Sequence, residues 1–221
     1  MSGWFSHLDW GDIAQACLDT LTMLGASLVL TVLLGVPLGV LLFLTAERQI
    51  SQNRIVNAVL GMVVNILRSV PFVILLIVMI PLTVALVGTS LGVVGAIPPL
   101  VVGAAPFYAR LVEGALREVD RTTIEAAQAM GATTRQIVTG ALIPEAMPGL
   151  ISGATVTAVA LVSFTAMAGV VGAGGLGDLA IRFGYQRFQT DVMFVTVLLL
   201  VLLVQAIQIA GDRLARRFSH R

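Results

Sequence analysis

Long runs of chain without charge dominate this sequence and leave it few ways to fold. They occupy residues 21–46, 55–87, 91–116, 148–171 and 192–210; the second is interrupted by Arg68 and Pro71, and the third carries Arg110 and Glu113 near its end. A helix rises about 1.5 Å per residue, so each run is long enough for a hydrocarbon core of about 30 Å. Only 11% of the chain is charged and 57% is hydrophobic, with mean hydropathy +0.98. A soluble domain holds roughly 25% charged residues and could not cover this much apolar surface. The runs are continuous and rich in Ala, Leu, Val and Gly; a barrel would alternate in short segments. The expectation is an all-α polytopic membrane protein with five transmembrane helices. The 55–87 zone is too long for one straight span, so a break is predicted near Arg68–Pro71, or an end that emerges before Val87.

Charge placement orients these spans. All 13 basic residues are arginine. Arg48, Arg54, Arg117, Arg121, Arg135, Arg213, Arg216, Arg217 and Arg221 collect on one face of the five-span layout, and only Arg182 and Arg187 on the other. Positive loops stay cytoplasmic, which predicts an external N-terminus and a cytoplasmic C-terminus. Without lysine the chain lacks the residue a P-loop places on nucleotide phosphates, so no ordinary ATP motor is encoded here. The net charge of +1 suggests no nucleic-acid partner. Cys17 is single, and His7 and His220 lie at opposite ends without ligand spacing, so neither a disulfide nor a metal site is expected. The first 16 residues contain Asp9 and Asp12 and no basic residue, unlike a secretory signal. Five spans are few for enclosing a path, which favours a symmetric dimer.

Between the third and fourth spans lies a polar, alanine-rich insert, about 118–145. Thr122 or Thr123 is suited to cap a helix there, and Glu125 to complement its positive start. Ala126, Ala127 and Ala129 favour helix, and Gly131 suits a left-handed C-terminal stop. Thr133 or Thr134 then starts a second helix over 135–142, towards Pro144. The insert reads as a short helix, a tight turn and a helix returning to the membrane, with alanines forming a smooth knob. On composition alone it could equally be a hairpin without a partner.

Glu125, Ala126, Ala127, Gly131 and Pro144 match E-A-A-x3-G-x9-I-x-L-P, with Ala141 and Ile143 departing from the usual isoleucine and leucine. This pattern resembles the cytoplasmic loop of bacterial ABC importer permeases. Arg68-Ser69-Val70-Pro71-Phe72 resembles the R-x-x-P element of amino-acid permeases in that superfamily. Gly103 to Phe107, Ala109-Arg110, Ile143 to Ala146, Ala166-Met167 and Gly172 to Gly177 look like the D-methionine permease branch. The likeness covers most of residues 17–217. It implies the type I importer architecture, with residues 1–221 as a single transmembrane permease domain in a bacterial inner membrane. It further implies a coupling helix in 118–145, a second copy of the chain, two cytoplasmic ATPase subunits using ATP and Mg, and an extracytoplasmic solute-binding protein. The chain itself would be neither an enzyme nor a cofactor carrier. The implied substrate is an amino acid, methionine foremost, moved by alternating access.

Several residues admit two readings. Arg68 could face the path and meet a carboxylate, or it could snorkel or bond carbonyls freed by Pro71. Ser163, Phe164, Thr165 and Met167 could line a gate, or simply pack. Arg110 and Glu113 suit a structural i,i+3 ion pair. Gly35, Pro37, Gly39, Pro98, Pro99, Pro106 and Gly153 suit either close helix packing or a bundle that rocks. Gly172, Gly174 and Gly177 fit G-x-G-x-x-G, but they follow a membrane span rather than a strand, so a tight external turn is the better reading. The alternative function is an autonomous secondary transporter or channel for a small amphipathic solute. It needs buried carboxylates for coupling ions, and the first, fourth and fifth runs have none.

Overall fold

The structure is a computed structural model and describes residues 9–219. His7 and His220 lie outside the described residues. Every regular element described is helical. Helix α1 runs Trp10–Thr45, α2 Arg54–Ser69, α3 Phe72–Val78, α4 Ile80–Val87 and α5 Gly92–Arg117. The short α6, Arg121–Ala129, precedes α7, Thr134–Ile137, which continues through one π-turn at Val138–Leu142 into α8, Ile143–Gly169. Helix α9, Gly175–Leu179, continues as a π-segment at Ala180–Tyr185 before α10, Thr190–Phe218.

Among the described residues four helices are long and apolar enough to span a bilayer alone, and α2 with α3, bent by 103° at their junction, makes a fifth if the pair is counted as one broken span. The break falls at the expected place, because proline has no amide to continue a helix and biases the residue before it away from helical geometry. Pro71 sits in an extended conformation as the N-cap of α3. The helices outrun the charge-free runs at both ends of the chain. Helix α1 begins before Asp12, and α10 continues past Asp212 to its last basic turn at Arg216 and Arg217. Polar first and last turns are what an interface requires. Between them, residues such as Leu33 on α1 and Leu202 on α10 stand exposed on the outside, as lipid-facing side chains should.

The described residues fall into two compact units. The first comprises residues 1–30 (from 9 in the description), 70–103 and 158–208. Ile13, Ala16, Leu176 and Leu179 form one of its apolar clusters. The Leu176 amide donates to Thr20 Oγ1 at 2.9 Å, and Gly92 N donates to Gly172 O at 2.9 Å. Gly175 has φ +83°, and a Cβ there would lie 2.7 Å from Thr20 Oγ1. Only glycine meets both demands. The glycine run is therefore a tight turn pressed onto α1, not a phosphate cradle.

The second unit comprises residues 31–69, 104–157 and 209–221 (to 219 in the description). Its core gathers Phe43, Val112, Leu116, Ile137, Leu142 and Leu150. Small residues set the helix spacing. A Cβ at Gly39 would come within 2.6 Å of Ala109 O and Val112 Cβ, and one at Gly149 within 2.8 Å of Ala115 Cβ. Tyr108 Oη donates to Leu150 O at 3.2 Å. Gly35, Gly39 and Gly153 each face a neighbouring helix at contact distance.

Candidate functional site

The 118–145 insert folds as a hairpin, with a cap that differs from expectation. Neither Thr122 nor Thr123 caps α6. Asp120 does, its Oδ1 accepting from the Thr122 amide at 2.9 Å. The Thr122 amide, then its side chain, hold the Asp120 carboxyl below its ordinary range. An aspartate one residue before the first helical arginine serves both the orphan amides and the helix dipole. Glu125 is consequently not the group at the helix start. It lies one turn on and pairs with Arg121 at 3.0 Å, both side chains well exposed, an i,i+4 contact that contributes little to stability.

At the other end of α6, Met130 closes the helix and Gly131 takes φ +77°, the left-handed stop expected of it. Thr133 then caps α7 in a reciprocal capping box with Gln136: the Gln136 amide donates to Thr133 Oγ1 and Thr133 N donates to Gln136 Oε1 at 2.8 Å. The second helix does not end before Pro144. It widens into the π-turn, where Ile143 N donates to Val138 O, five residues back, and runs on into α8. Proline cannot donate to the carbonyl four residues before it and crowds that carbonyl. The wider turn accommodates both effects without breaking the rod.

The alanines divide by face. Ile124 and Ala127 are buried in the core of the second unit, alongside Leu116, Ile137 and Leu142. Glu125, Ala126, Ala129 and Met130 are exposed, Met130 at 82%. So Ala127 seats the hairpin, and the outward knob is Ala126 and Ala129 between Glu125 and Met130. Met130 was not legible as part of it, because nothing but its place before Gly131 marks it. Glu125 and Gln128 also border a cleft of about 330 Å³ with Arg48, Arg117 and Arg121. Below the hairpin, Glu113 is buried and bridges Arg110 at 2.7 Å and Arg117 at 2.6 Å. The ion pair with Arg110 is the expected one, and Arg117 adds a second arm.

The residues considered for the path are distributed between the units. Ser163 and Met167 lie four apart on an exposed face of α8 in the first unit. Phe164 instead stacks on Phe72, centroids 4.5 Å apart and rings within 7° of parallel, and Thr165 is buried with its hydroxyl on Val162 O. Arg68 belongs to the second unit; it is exposed, with Cζ 5.9 Å from the centre of the Phe107 ring.

Comparison with known proteins agrees with this geometry. Residues 32–221 match the family described as "binding-protein-dependent transport system inner membrane component". The chain is 49% identical to the probable D-methionine transport system permease protein MetI of Vibrio cholerae, over 99% of this chain and 96% of that one. It is 50% identical to the methionine import system permease protein MetP of Bacillus subtilis, over 99% and 98%. A solved chain of the MetNI methionine ABC transporter in an inward-facing conformation superposes with a TM-score of 0.94 at 46% identity, covering 100% of both chains. A chain of an amino-acid ABC transporter crystallised with histidines shares the fold at 15% identity, with a TM-score of 0.75. These similarities remove the autonomous-transporter alternative and assign ATP hydrolysis to a separate subunit. The chain belongs to the binding-protein-dependent inner membrane component family, in its methionine permease branch, and is the multi-pass permease subunit of an ABC importer.

Proposed function

We propose that this permease carries methionine into the cytoplasm by alternating access, with residues 1–221 acting as one transmembrane domain. The working assembly is two copies of the chain, two ATPase subunits and an extracytoplasmic solute-binding protein. The substrate reading rests on the methionine transport named for relatives at about half identity over nearly the whole chain. The observation that carries the coupling mechanism is the hairpin. Glu125, Ala126 and Met130 face outwards on a helix seated by Ala127 and stopped at Gly131, and its small-residue knob suits a groove in another protein. ATP-driven closure of the ATPases would move this knob and, through the Pro144 segment that leads straight into α8, the span itself. Arg68, Ser163, Phe164 and Met167 are assigned to the path or its gate, with Phe164 acting through its stack on Phe72. The arginine distribution supports a cytoplasmic hairpin and C-terminus and an external N-terminus.

Orientation and docking are tested together by thiol labelling in a Cys17→Ala background. Ala129 lies on the knob, and Gln186 is exposed in the loop on the opposite face of the charge layout. An impermeant reagent should label the Gln186→Cys chain in intact cells and the Ala129→Cys chain only after permeabilisation. Adding back the ATPase should then slow labelling at position 129 several-fold. Labelling of Ala129→Cys in intact cells would invert the topology, and indifference to the ATPase would remove the hairpin from the docking surface.

A further inference from the structure

Arg68 differs from the other membrane-zone arginine in what it faces. Arg110 is held by Glu113 at 2.7 Å, and also donates to Asn65 Oδ1 at 3.1 Å and Gly61 O at 3.3 Å. Arg117, Arg121 and Arg182 likewise each have a carboxylate within 3.0 Å. Among the described residues Arg68 enters no such ion pair, and its guanidinium has the Phe107 ring beside it. Nor, among the described residues, does it hydrogen-bond a carbonyl freed by Pro71.

Depth makes that isolation significant. Phe107 precedes the C-terminal end of α5 at Arg117 by ten residues, about 15 Å of helix. That is about half of a 30 Å hydrocarbon core. With the hydrocarbon boundary placed at Arg117, a guanidinium beside the Phe107 ring lies near mid-depth. An exposed, unneutralised charge at that depth against lipid is strongly unfavourable. It is tolerated where water reaches it and an anion visits it. The one carboxylate on α5, Glu113, is already engaged twice, by Arg110 and Arg117. A guanidinium takes a carboxylate through two parallel hydrogen bonds. The Phe107 face would hold its plane between visits.

We propose that Arg68 is the carboxylate-binding residue of the translocation path, receiving the α-carboxylate of the amino acid in transit. The inference rests on the import reading above, but on the amino-acid class rather than on methionine in particular. The carboxylate is common to all amino acids, so a chain that imported a different one would use the same contact.

The test is made on the complete complex with its ATPase and binding protein in proteoliposomes, in a Cys17→Ala background. Uptake of radiolabelled methionine by the unsubstituted protein is measured first; if it imports another amino acid, that one becomes the probe, and only the methionine reading fails. Uptake per ATP hydrolysed should fall about tenfold or more in R68Q and R68C, as loss of a charge-assisted hydrogen-bonded contact implies. Modifying R68C with an aminoethyl thiosulfonate restores a cation and should recover much of the ratio. The sulfonatoethyl reagent, which adds an anion of similar size, should recover none. An unchanged ratio in R68Q and R68C overturns the proposal. Equal recovery by both reagents also overturns it, since the site would then need bulk and not charge. A loss of complex yield with the ratio intact does so as well, and makes Arg68 an assembly contact, for example with the second copy.

Discussion

Gly131→Val is expected to abolish uptake while leaving the chain inserted in the membrane. Gly131 holds φ +77° at the turn between α6 and α7. A β-branched residue in that region costs on the order of 1–3 kcal/mol. The cost is conformational and not a clash, because a Cβ at this position meets nothing within 4 Å. The chain escapes the strain by reshaping the turn, which displaces Met130 and the C-terminal end of α6 from the knob. The spans do not depend on that turn, so the amount of membrane-inserted protein should stay near normal. Gly131→Asn is the control, since asparagine tolerates the left-handed region, and it should retain much of the uptake. Uptake, ATPase activity and co-purification of the ATPase are the readouts. Normal transport by Gly131→Val with intact subunit binding would make the hairpin a bystander.

Ala127→Asp is expected to be the most damaging single change within the hairpin itself. Ala127 is 9% exposed and packs with Ile124 into the cluster around Leu116, Ile137 and Leu142. An aspartate there has no partner in that cluster, and burying it unpaired costs about 3 kcal/mol or more. Helix α6 is nine residues long, too short to persist without its seat. It should therefore detach as a whole. Limited proteolysis would show this as new cleavage within 118–134, together with loss of ATPase binding. Ala126→Asp places the same charge on the exposed face and should leave the hairpin protease-resistant. Equal resistance of the two variants would mean that Ala127 does not anchor the hairpin.

The contrast between Ala126 and Ala127 marks how far the sequence could be read. Spans are legible because membrane insertion demands long uncharged runs, and the break at Pro71 because proline acts locally. Gly131 is legible for the same reason: a left-handed stop is a property of one residue. The division of adjacent alanines into seat and knob is not local. It depends on where Ile137 and Leu142 lie once the chain has turned, and two identical side chains carry no record of it. The cap fell to Asp120, two to three residues before the threonines, because its carboxylate reaches the Thr122 amide and also complements the helix start. The run past Pro144 was missed because a π-turn is a cooperative adjustment of several carbonyls and leaves no residue signature. Of the path residues, Ser163 and Met167 share a face by simple four-residue spacing, whereas the Phe164 stack on Phe72 joins segments far apart in the chain and had no signal.

The account turns on whether this chain is the membrane path of an ATP-driven methionine importer. The most direct measurement is uptake of radiolabelled methionine into proteoliposomes holding the chain with its ATPase and binding protein, with ATP supplied on the face that carries the hairpin. The account predicts accumulation that needs ATP, the ATPase and the binding protein together, and that persists when ionophores collapse every ion gradient. Methionine accumulation by the chain alone, driven by an ion gradient and abolished by the ionophore, would contradict it.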